Sequence, residues 1–497
     1  MTPVQVPVEA TTAALAAASL KESGTQHKSA LNETFTIPSP NHAVVGEWAD
    51  AVKNYKGPPI SDRAKGCSVH DTTEKLDALF RTSADPEENP DGAVSLALAE
   101  NSLMINEYHA YFKKAFSENF TLTDMGYGNQ SSGSARLNKA IASYWNDHFH
   151  PITPIEPDDI VTGPGATGIL DQLLQTLVDP GEGILIPAPH YNGFFVNMVA
   201  RSGTKVISVN CSQEDCLSDR IFDVLEEAKA KAEAAGTPIR VVVRTLPSDA
   251  ADPQMLCSPH NPYGQTLDKA TIVAYARFAE KHNLHLIADE IYALSVYDNE
   301  NLPNAAPFIS VASLDFEKET GAPFDKSRVH IVYSVSKDFG ANGLRIGCVI
   351  SQHNPVVLRA LLHTVFLMKV SSAADVIFSS LLNDRETLHR FTAQNRKLLT
   401  EAAKHTREWF EERGCKPLQT NAGHFILVDI RPRTGITTFE EERNFVRKCM
   451  ANGVMVSPAS NYLYHTPGWL RVTFSVDRAT LDVGLERLGK NLDEWKK

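Results

Sequence analysis

The chain has 497 residues, of which 42% are hydrophobic and 22% are charged. That length exceeds one ordinary domain and that apolar content can bury a sizeable core, which excludes a small peptide module and a mostly disordered polymer. The 60 acidic and 48 basic side chains give a formal net charge of −12, which repels phosphate backbones. We therefore expect a globular protein without a nucleic-acid partner.

Cysteine usage and hydropathy predict the cellular setting. Seven cysteines are scattered along the chain without a Cys-x-x-Cys pair, which is typical of free thiols in a reducing compartment such as the cytosol. No Lys or Arg precedes Lys21, so the positive region of a secretory signal is missing. Even the apolar stretch 358–370 is broken by charged side chains. We expect a cytoplasmic protein with no membrane partner.

The composition along the chain predicts four regions. Residues 1–30 contain no Phe, Trp or Tyr, so they cannot bury enough surface to offset their ordering entropy, and we expect a flexible N-terminal arm. Residues 31–120 are expected to form the N-terminal part of a small domain with a connecting segment. A large α/β domain is expected over 121–351, and an interdomain helix with a small C-terminal α+β domain over 352–497.

Short β-branched runs alternate with helical segments in the predicted large domain. The predicted strands are 160–161, 184–186, 206–207, 241–243, 284–288, 329–333 and 346–350. Apolar side chains recur at helical spacing between them, as at Ile169, Leu170 and Leu173, and an Ala/Glu/Lys-rich helix is predicted over 218–235. This alternation predicts a largely parallel sheet.

The C-terminal third is predicted to begin with helices. Residues 355–413 suit one or two long helices with an interruption near Ser371 and Ser372. Strands are predicted at 425–429 and 470–475.

The first candidate motif is Gly-Pro-Gly-Ala-Thr-Gly at 163–168, between a predicted strand and a predicted helix. It matches GxGxxG, so a nicotinamide dinucleotide fold is one interpretation. That fold needs an acidic residue after the next strand, and 184–186 is followed by Pro-Ala-Pro instead. The other interpretations are a helix N-terminus that binds a phosphate and a plain strand-to-helix turn.

The second candidate motif is Ser-Val-Ser-Lys-Asp-Phe-Gly-Ala-Asn-Gly-Leu-Arg-Ile-Gly at 334–347, directly after an apolar strand. Most lysines are solvated surface groups. Lys337 follows a strand end, lies among small residues and precedes Arg345 by eight positions. This setting suits an amine whose pKa is lowered for imine chemistry.

This segment resembles the cofactor-lysine motif of fold-type I pyridoxal 5′-phosphate (PLP) enzymes, the class I/II aminotransferase family. The resemblance extends from about residue 95 to 475. It implies the fold of that family, an α/β large domain with a mostly parallel central sheet flanked by helices, plus a smaller α+β domain. It also implies that PLP is the cofactor, that Lys337 binds it covalently, and that Ser334 and Arg345 bind its phosphate, with Ser336 also among the cofactor-binding residues.

Further segments match the family in chain order. The pair Asp289 and Tyr292, after strand 284–288, resembles the aspartate that pairs with the pyridine nitrogen and the tyrosine on the phenolic oxygen. Without the resemblance, the aspartate would be interpreted as a helix N-cap. Asn-Pro-Tyr-Gly at 261–264 resembles the turn whose asparagine, here Asn261, reaches the same oxygen. The segment 189–194 resembles the one whose aromatic ring, here Tyr191, stacks on the pyridine.

The resemblance also assigns the remaining cofactor and substrate contacts. The glycine motif becomes the phosphate loop, with contacts from Gly165, Ala166 and Thr167, which replaces the nicotinamide interpretation. The segment 468–474 resembles the strand whose arginine binds the substrate α-carboxylate, which assigns that role to Arg471. A core salt bridge is the alternative for this arginine.

Two segments point to the 1-aminocyclopropane-1-carboxylate (ACC) synthase branch and one differs from it. Leu-Ala-Glu-Asn at 98–101 resembles the branch segment in which the glutamate, here Glu100, lies near the substrate. The run 337–347 also fits that branch. The branch carries Tyr-His-Gly before the helix that begins here near Ala135, whereas this chain has Gly-Tyr-Gly-Asn-Gln-Ser-Ser-Gly at 126–133. Tyr127 is the candidate residue that crosses to the other subunit's phosphate.

Residues and resemblance together predict a PLP-dependent enzyme that acts on an α-amino acid. A homodimer with a shared active site is expected, and the predicted catalytic residues are Lys337, Tyr292 and Asp289. The ACC-synthase-like segments favour elimination or substitution of a β or γ leaving group, as in S-adenosylmethionine or a sulfur-containing amino acid. The alternatives are transfer of the amino group to a 2-oxo acid, a carbon–sulfur β-lyase and a non-catalytic PLP-fold protein. No metal site is predicted.

Overall fold

The computed structural model describes residues 47–55, 57–59, 61, 64, 82–84, 89, 91–128, 133–194, 201–242 and 254–495. The chain divides into two compact units, Met1–Arg81 and Thr82–Lys497. The helix Glu47–Asn54 belongs to the first unit, and the predicted arm 1–30 lies outside the described residues. The four predicted regions stay predictions. No helix in the described part of the chain is both long and apolar enough to cross a membrane.

The described strands and the described helices of at least ten residues all belong to the second unit. In chain order, the strands are β1 (Val94–Ser95), β2 (Ile160–Pro164), β3 (Gly183–Ala188), β4 (Lys205–Asn210), β5 (Ile239–Val242), β6 (Gln254–Cys257), β7 (His285–Asp289), β8 (Val329–Ser334), β9 (Ile346–Ile350), β10 (Lys416–Pro417), β11 (Phe425–Asp429), β12 (Val454–Met455), β13 (Ser457–Pro458) and β14 (Trp469–Thr473). The helices of at least ten residues are Ile105–Asn119, Ala135–Phe149, Gly165–Leu177, Ile221–Ala234, Lys269–Lys281, Pro355–Val365, Ser372–Asn383, Arg385–Glu411, Phe439–Ala451 and Arg478–Asp493.

A large sheet of eight strands has the order β2-β9-β8-β7-β5-β3-β4, and β6 also pairs with β7. Its pairs are parallel except those that β9 makes with β2 and β8. The predicted α/β fold with a mostly parallel sheet is confirmed. Strand β6 was not predicted, because its sequence Gln-Met-Leu-Cys lacks the β-branched residues that marked the other strands.

The helix Lys269–Lys281 illustrates how the sequence forms the layer beside this sheet. Asp268 caps its start, since its carboxylate accepts a hydrogen bond from the backbone N–H of Thr271 at 2.8 Å. Its buried side chains include Ile272, Tyr275 and Ala279, which lie on one helical face. Burying each large apolar side chain stabilises the fold by about 1.5–3 kcal/mol.

A second, smaller sheet has the order β10-β11-β14-β13, with antiparallel pairs. Its strands β11 and β14 confirm the predictions at 425–429 and, within a few residues, at 470–475. Phe445 and Leu485, from two C-terminal helices, share a buried core with Val472 of β14. This core holds the smaller sheet against its helices.

The prediction of one or two helices over 355–413 is wrong, because three helices and a short 3-10 turn cover this stretch. The break near Ser371 is present. A second break falls at Asp384, whose side chain accepts a hydrogen bond from the Thr387 N–H at 3.1 Å and so caps the helix Arg385–Glu411. An aspartate followed by an acidic residue in the next turn, here Glu386, is a helix-start signal that the hydrophobic periodicity obscured.

Candidate active site

Three strand ends bring the glycine motif and the Lys337 segment together. Strand β9 pairs with β2 so that Gly347 lies opposite Gly163, and β8 pairs with β9 so that Ser334 lies opposite Gly347. A Cβ added at Gly347 would come within 2.7 Å of the Ala166 backbone nitrogen. Only glycine permits this approach, which places Ser334 beside the N-terminus of the helix Gly165–Leu177.

Several hydrogen-bond donors lie near the N-terminus of this helix. No side chain among the described residues caps this helix, and the first N–H groups of Gly165, Ala166 and Thr167 lie at its positive end. Ser334 and Ser336 place their hydroxyl oxygens 2.8 Å apart. Arg345 donates from Nη1 to the Asn342 carbonyl at 2.7 Å, and its guanidinium fills the space that a Cβ at Gly165 would occupy. Backbone N–H groups, hydroxyls and a guanidinium form a donor set for a phosphate.

Asp289 ends β7 at the next strand of the sheet and is only 5% exposed. Burial raises the pKa of this carboxyl to about 7, against the opposing effects of the Ile291 N–H, which donates to Oδ1 at 3.2 Å, and of the Lys337 charge. Residues 291–294 form turns, so Asp289 does not cap a helix. A buried carboxylate of this kind is held ionised by a cationic partner such as a protonated pyridine nitrogen.

Tyr292 is buried in the turn that follows Asp289. Its ring packs edge-on against His424 at 5.2 Å and Phe425 at 5.7 Å, measured between ring centroids. Burial raises the pKa of the phenol well above its usual value, and the charges of Arg471 and Asp289 also act on it. The phenol is therefore a neutral O–H donor in this site.

Lys337 is half-buried and its amine donates from Nζ to the Ala99 carbonyl at 2.7 Å. Burial lowers the pKa of the amine to about 8, the nearby Arg471 charge lowers it further, and Glu100 acts in the opposite direction. A substantial fraction of the amine is consequently neutral near physiological pH. A neutral, positioned amine can attack a carbonyl or accept a proton.

The loop before the first long helix brings Glu100 to the same place. Glu100 follows the carbonyl that receives the Lys337 hydrogen bond, and its Oε1 accepts a hydrogen bond from Asn342 Nδ2 at 2.6 Å. The carboxylate is solvent-exposed. It is therefore available to a bound molecule beside Lys337.

Arg471 lies in the middle of β14 and is 3% exposed. It donates from Nη1 to Asn261 Oδ1 at 3.0 Å and from Nη2 to the Ala97 carbonyl at 2.7 Å, which links two of the predicted site residues. Its Nε finds no partner in the described part of the chain, and no described carboxylate forms an ion pair with the guanidinium. The alternative of a core salt bridge is wrong for the described residues. A buried cation without an anion is costly, so the site suits a ligand carboxylate.

Tyr191 borders the same space from the segment after β3. It is 39% exposed, and its ring packs edge-on against Phe194 at 5.3 Å. Burial of the phenol raises its pKa, and the charges of Arg471, Asp289 and Arg345 all act on it. The ring is thus available at the site where a cofactor face would lie.

Tyr127 and Thr167 are both exposed to solvent. Tyr127 is 97% exposed, and its backbone carbonyl accepts a hydrogen bond from Lys369 Nζ at 2.7 Å. Thr167 is the third residue of the helix Gly165–Leu177 and lies in its first turn. The assigned role of Tyr127 in another subunit's site stays a prediction.

Sequence reasoning missed a buried polar chain behind Lys337. Asp338 accepts hydrogen bonds from Ser295 Oγ at 2.6 Å and Tyr333 OH at 2.9 Å, and Ser295 Oγ lies 2.9 Å from His424 Nε2. Burial raises the pKa of Asp338 to about 7 and lowers that of His424 to about 3. The position of Asp338 directly after Lys337 in the sequence could have marked it as a site residue. No sequence signal marks His424, which directly precedes strand β11 of the smaller sheet.

The residues fit PLP. Glycines 165 and 347 leave a cradle that side chains would fill, and the surrounding donors suit a phosphate. Asp289 suits the ring nitrogen, Lys337 the aldehyde and Tyr191 the ring face. PLP, when bound, supplies an electron sink for charge that develops at the substrate Cα.

Comparison with known proteins identifies the family of this chain. The family model described as aminotransferase class I and II matches residues 112–488. A protein of Aspergillus oryzae named "Probable aminotransferase aclI" is 33% identical over 398 residues, which cover 80% of this chain and 90% of that protein. The 1-aminocyclopropane-1-carboxylate synthase 2 of Solanum lycopersicum is 31% identical over 411 residues, which cover 81% of this chain and 80% of that enzyme.

Solved structures share the fold. An aspartate aminotransferase double mutant of Thermus thermophilus matches with a TM-score of 0.63 at 19% identity, over 88% of this chain and 100% of that one. An aminotransferase from Mycobacterium tuberculosis matches with a TM-score of 0.65 at 18% identity, over 88% and 99% of the two chains. These structural matches confirm the predicted fold, and the family model and the sequence relatives confirm the predicted cofactor and enzyme class. The chain is a PLP-dependent enzyme and belongs to the class I and II aminotransferase family.

Proposed function

We propose that this enzyme removes or replaces a β or γ leaving group of an α-amino acid, such as S-adenosylmethionine or another sulfur-containing amino acid. The observation that carries the proposal is the position of Glu100, whose carboxylate is fixed by Asn342 beside the amine of Lys337. The similarity to ACC synthases over four-fifths of the chain supports it.

The side chains of the site have separate tasks in this reaction. Arg471 orients the substrate by its α-carboxylate, since its Nε has no protein partner among the described residues. Lys337 accepts the proton from the substrate Cα at its Nζ, because burial lowers the pKa of the amine to about 8 and so raises its neutral fraction. Asp289 keeps a negative charge at the ring nitrogen, and Tyr292 donates its phenolic hydrogen.

Glu100 is proposed to bind the departing part of the substrate. An exposed carboxylate attracts a sulfonium centre by its charge, and the hydrogen bond from Asn342 fixes its direction. A neutral thioether gains less from this contact. We therefore expect positively charged sulfur substrates to be favoured over neutral ones.

Amino-group transfer to a 2-oxo acid is the second candidate function. The names of fungal relatives favour it, among them the "Probable aminotransferase aclI" of Aspergillus oryzae and the "Probable aminotransferase sirI" of Leptosphaeria maculans. An aminotransferase needs the same lysine, aspartate and arginine. The two candidates differ in whether an amino acceptor is required.

The deciding experiment incubates the PLP-loaded enzyme with S-adenosylmethionine, methionine or S-alkyl cysteines, with and without 2-oxoglutarate, and follows product masses. We expect turnover without 2-oxoglutarate, and Glu100→Gln should reduce turnover of S-adenosylmethionine more than turnover of the neutral S-alkyl cysteines. Strict dependence on 2-oxoglutarate, with glutamate formed in equal amount, would establish the aminotransferase instead.

We further propose a homodimer in which Tyr127 completes the partner's site. Large apolar side chains are exposed on two adjoining segments, with Leu122 92%, Tyr127 97% and Leu367 80% exposed. Lys369 joins the segments by donating to the Tyr127 carbonyl. Exposed apolar groups concentrated in this way are typical of an interface between protein chains.

A further inference from the structure

A buried carboxylate outside the cluster described above holds the loop that overlies Arg471. Glu442, in the helix Phe439–Ala451, accepts hydrogen bonds at Oε1 from the Ser460 hydroxyl at 2.5 Å and the Ser460 N–H at 3.3 Å. Its Oε2 accepts hydrogen bonds from the N–H groups of Gly468 at 2.7 Å and Trp469 at 3.3 Å. One side chain thus joins both ends of the loop 460–468.

These hydrogen bonds make Glu442 a clamp. It is fully buried, and no described Lys, Arg or His forms an ion pair with it. Burial of a carboxylate costs free energy unless hydrogen-bond donors compensate. Moving either end of the loop away from Glu442 would leave the buried carboxylate without those donors, so the hydrogen bonds fix the position of both loop ends. The neighbouring Glu440 lies on the same helix but is exposed to solvent.

The clamped loop carries Tyr462 to the site. Tyr462 is 3% exposed, and its ring centroid lies 4.4 Å from Cζ of Arg471. Its backbone carbonyl accepts a hydrogen bond from the His190 N–H at 2.9 Å, directly before Tyr191. The loop therefore contacts the substrate arginine and the segment that borders the cofactor space.

Tyr462 completes the packing that sets the plane of the Arg471 guanidinium. The Phe425 ring centroid lies 4.6 Å from the same Cζ, and Asn261 and the Ala97 carbonyl hold the two Nη atoms. Aromatic contacts of this kind fix the plane of a guanidinium and stabilise its charge. Bidentate binding of a carboxylate requires that plane to be fixed.

We propose that Glu442 and Tyr462 are positioning residues for the substrate carboxylate: Glu442 clamps the loop 460–468, and the loop lays Tyr462 on Arg471. The proposal rests on the proposed role of Arg471. The proposed role is a contribution to binding of the substrate carboxylate, beyond any contribution that these side chains make to the stability of the fold. Both side chains act through Arg471 and not on the cofactor.

The test compares two ligands of the PLP-loaded protein by the change they cause in cofactor absorption. 2-Aminoisobutyrate carries an amine and a carboxylate but no Cα hydrogen, so it binds without reacting further by proton loss. Isopropylamine lacks the carboxylate. The ratio of their dissociation constants isolates the contribution of the carboxylate. The variants are Tyr462→Leu, Glu442→Gln, the double variant, the control Glu440→Gln, and Arg471→Lys as reference.

Tyr462→Leu and Glu442→Gln should each weaken 2-aminoisobutyrate binding by about tenfold, the size expected for loss of a desolvated cation–π contact, and leave isopropylamine binding unchanged. Because both act through one contact, the double variant should be no weaker than Tyr462→Leu. Glu440→Gln should match the parent protein. Thermal unfolding of each variant establishes that the fold persists, and Tyr462→Leu alone carries the test if Glu442→Gln does not fold.

Equal losses for both ligands, or additive losses in the double variant, would overturn the proposal and leave a structural role only. If Arg471→Lys also keeps the parent ratio of dissociation constants, Arg471 does not bind the substrate carboxylate. The proposed positioning role of Glu442 and Tyr462 is then wrong as well. A changed ratio for Arg471→Lys with an unchanged ratio for Tyr462→Leu overturns the positioning role alone.

Discussion

Burial moves the pKa values of the two central ionisable side chains in opposite directions. It lowers the pKa of the Lys337 amine to about 8 and raises that of the Asp289 carboxyl to about 7. Both shifts favour the neutral form, as expected where water is excluded. The amine gains reactivity from its shift, whereas the carboxylate needs a cationic partner to stay ionised.

The lysine shift predicts the pH dependence of cofactor binding. Only the neutral amine attacks the PLP aldehyde, so the rate at which apoprotein binds PLP covalently should rise with pH and level off above about pH 8. An amine with the ordinary pKa of 10.5 would show a rate still rising at that pH. Stopped-flow absorption of PLP mixed with apoprotein measures the midpoint, and a midpoint near the ordinary value would contradict the desolvated amine.

Two adjacent buried carboxyls allow a matched test of Asp289. Asp289→Asn removes the charge at the ring nitrogen, and turnover should fall by roughly 10²-fold or more while PLP stays bound. Burial raises the pKa of neighbouring Glu290 to about 8, so this group is already largely protonated at neutral pH. Glu290→Gln should therefore leave turnover near the parent level. Parent-like turnover of Asp289→Asn would show that another group stabilises the ring.

At the scale of helices and strands, hydrophobic patterning predicted seven of the eight strands of the large sheet and its mostly parallel pairing. Lys337, Asp289 and Arg471 were each found because they stand at strands whose sequences match a known family. Asp338, Ser295 and His424 were missed because their contacts join distant parts of the chain. Glu442 was missed as well, because its hydrogen-bond donors lie at 460–469, although its spacing from Phe445 and Cys449 places it on the buried face of its helix.

The close contact between β9 and the glycine motif predicts that the start of the helix Gly165–Leu177 depends on a glycine at position 347. Gly347→Ala would place a Cβ against the backbone of Gly165 and Ala166, so the phosphate-binding helix start must shift. We expect PLP affinity to fall by more than about tenfold and stability to fall by about 1–3 kcal/mol. The control Gly343→Ala adds a Cβ in open space within the same segment. Equal PLP affinity for the two variants, measured by fluorescence titration, would show that the helix start does not hold the phosphate.

For the whole molecule, the proposed dimer predicts that exposed apolar side chains are needed for assembly. Leu122→Asp should convert a dimer to monomers, because it places a charge in an apolar interface. Val483→Asp is the control, since Val483 is exposed on the C-terminal helix Arg478–Asp493. Sedimentation equilibrium measures the mass, and a dimer that survives Leu122→Asp would place the interface elsewhere.

If each site takes Lys337 from one subunit and Tyr127 from the other, two inactive variants should restore activity when their subunits mix. Lys337→Ala and Tyr127→Ala should each be impaired, but mixed dimers contain one site with both parent residues. A mixture of equal amounts should regain about a quarter of the parent activity after subunit exchange. Activity that stays at the sum of the separate variants would show that Tyr127 does not serve the partner's site.

Lys337, at the junction of the strand ends and the glycine motif, is the residue expected to bind PLP covalently. Borohydride reduction of the purified PLP-loaded protein, followed by peptide mapping by mass spectrometry, tests this assignment. We expect a pyridoxyl-phosphate adduct on the peptide that contains Lys337 and on that residue alone. An adduct on another lysine, or no adduct on protein that retains the cofactor, would contradict it.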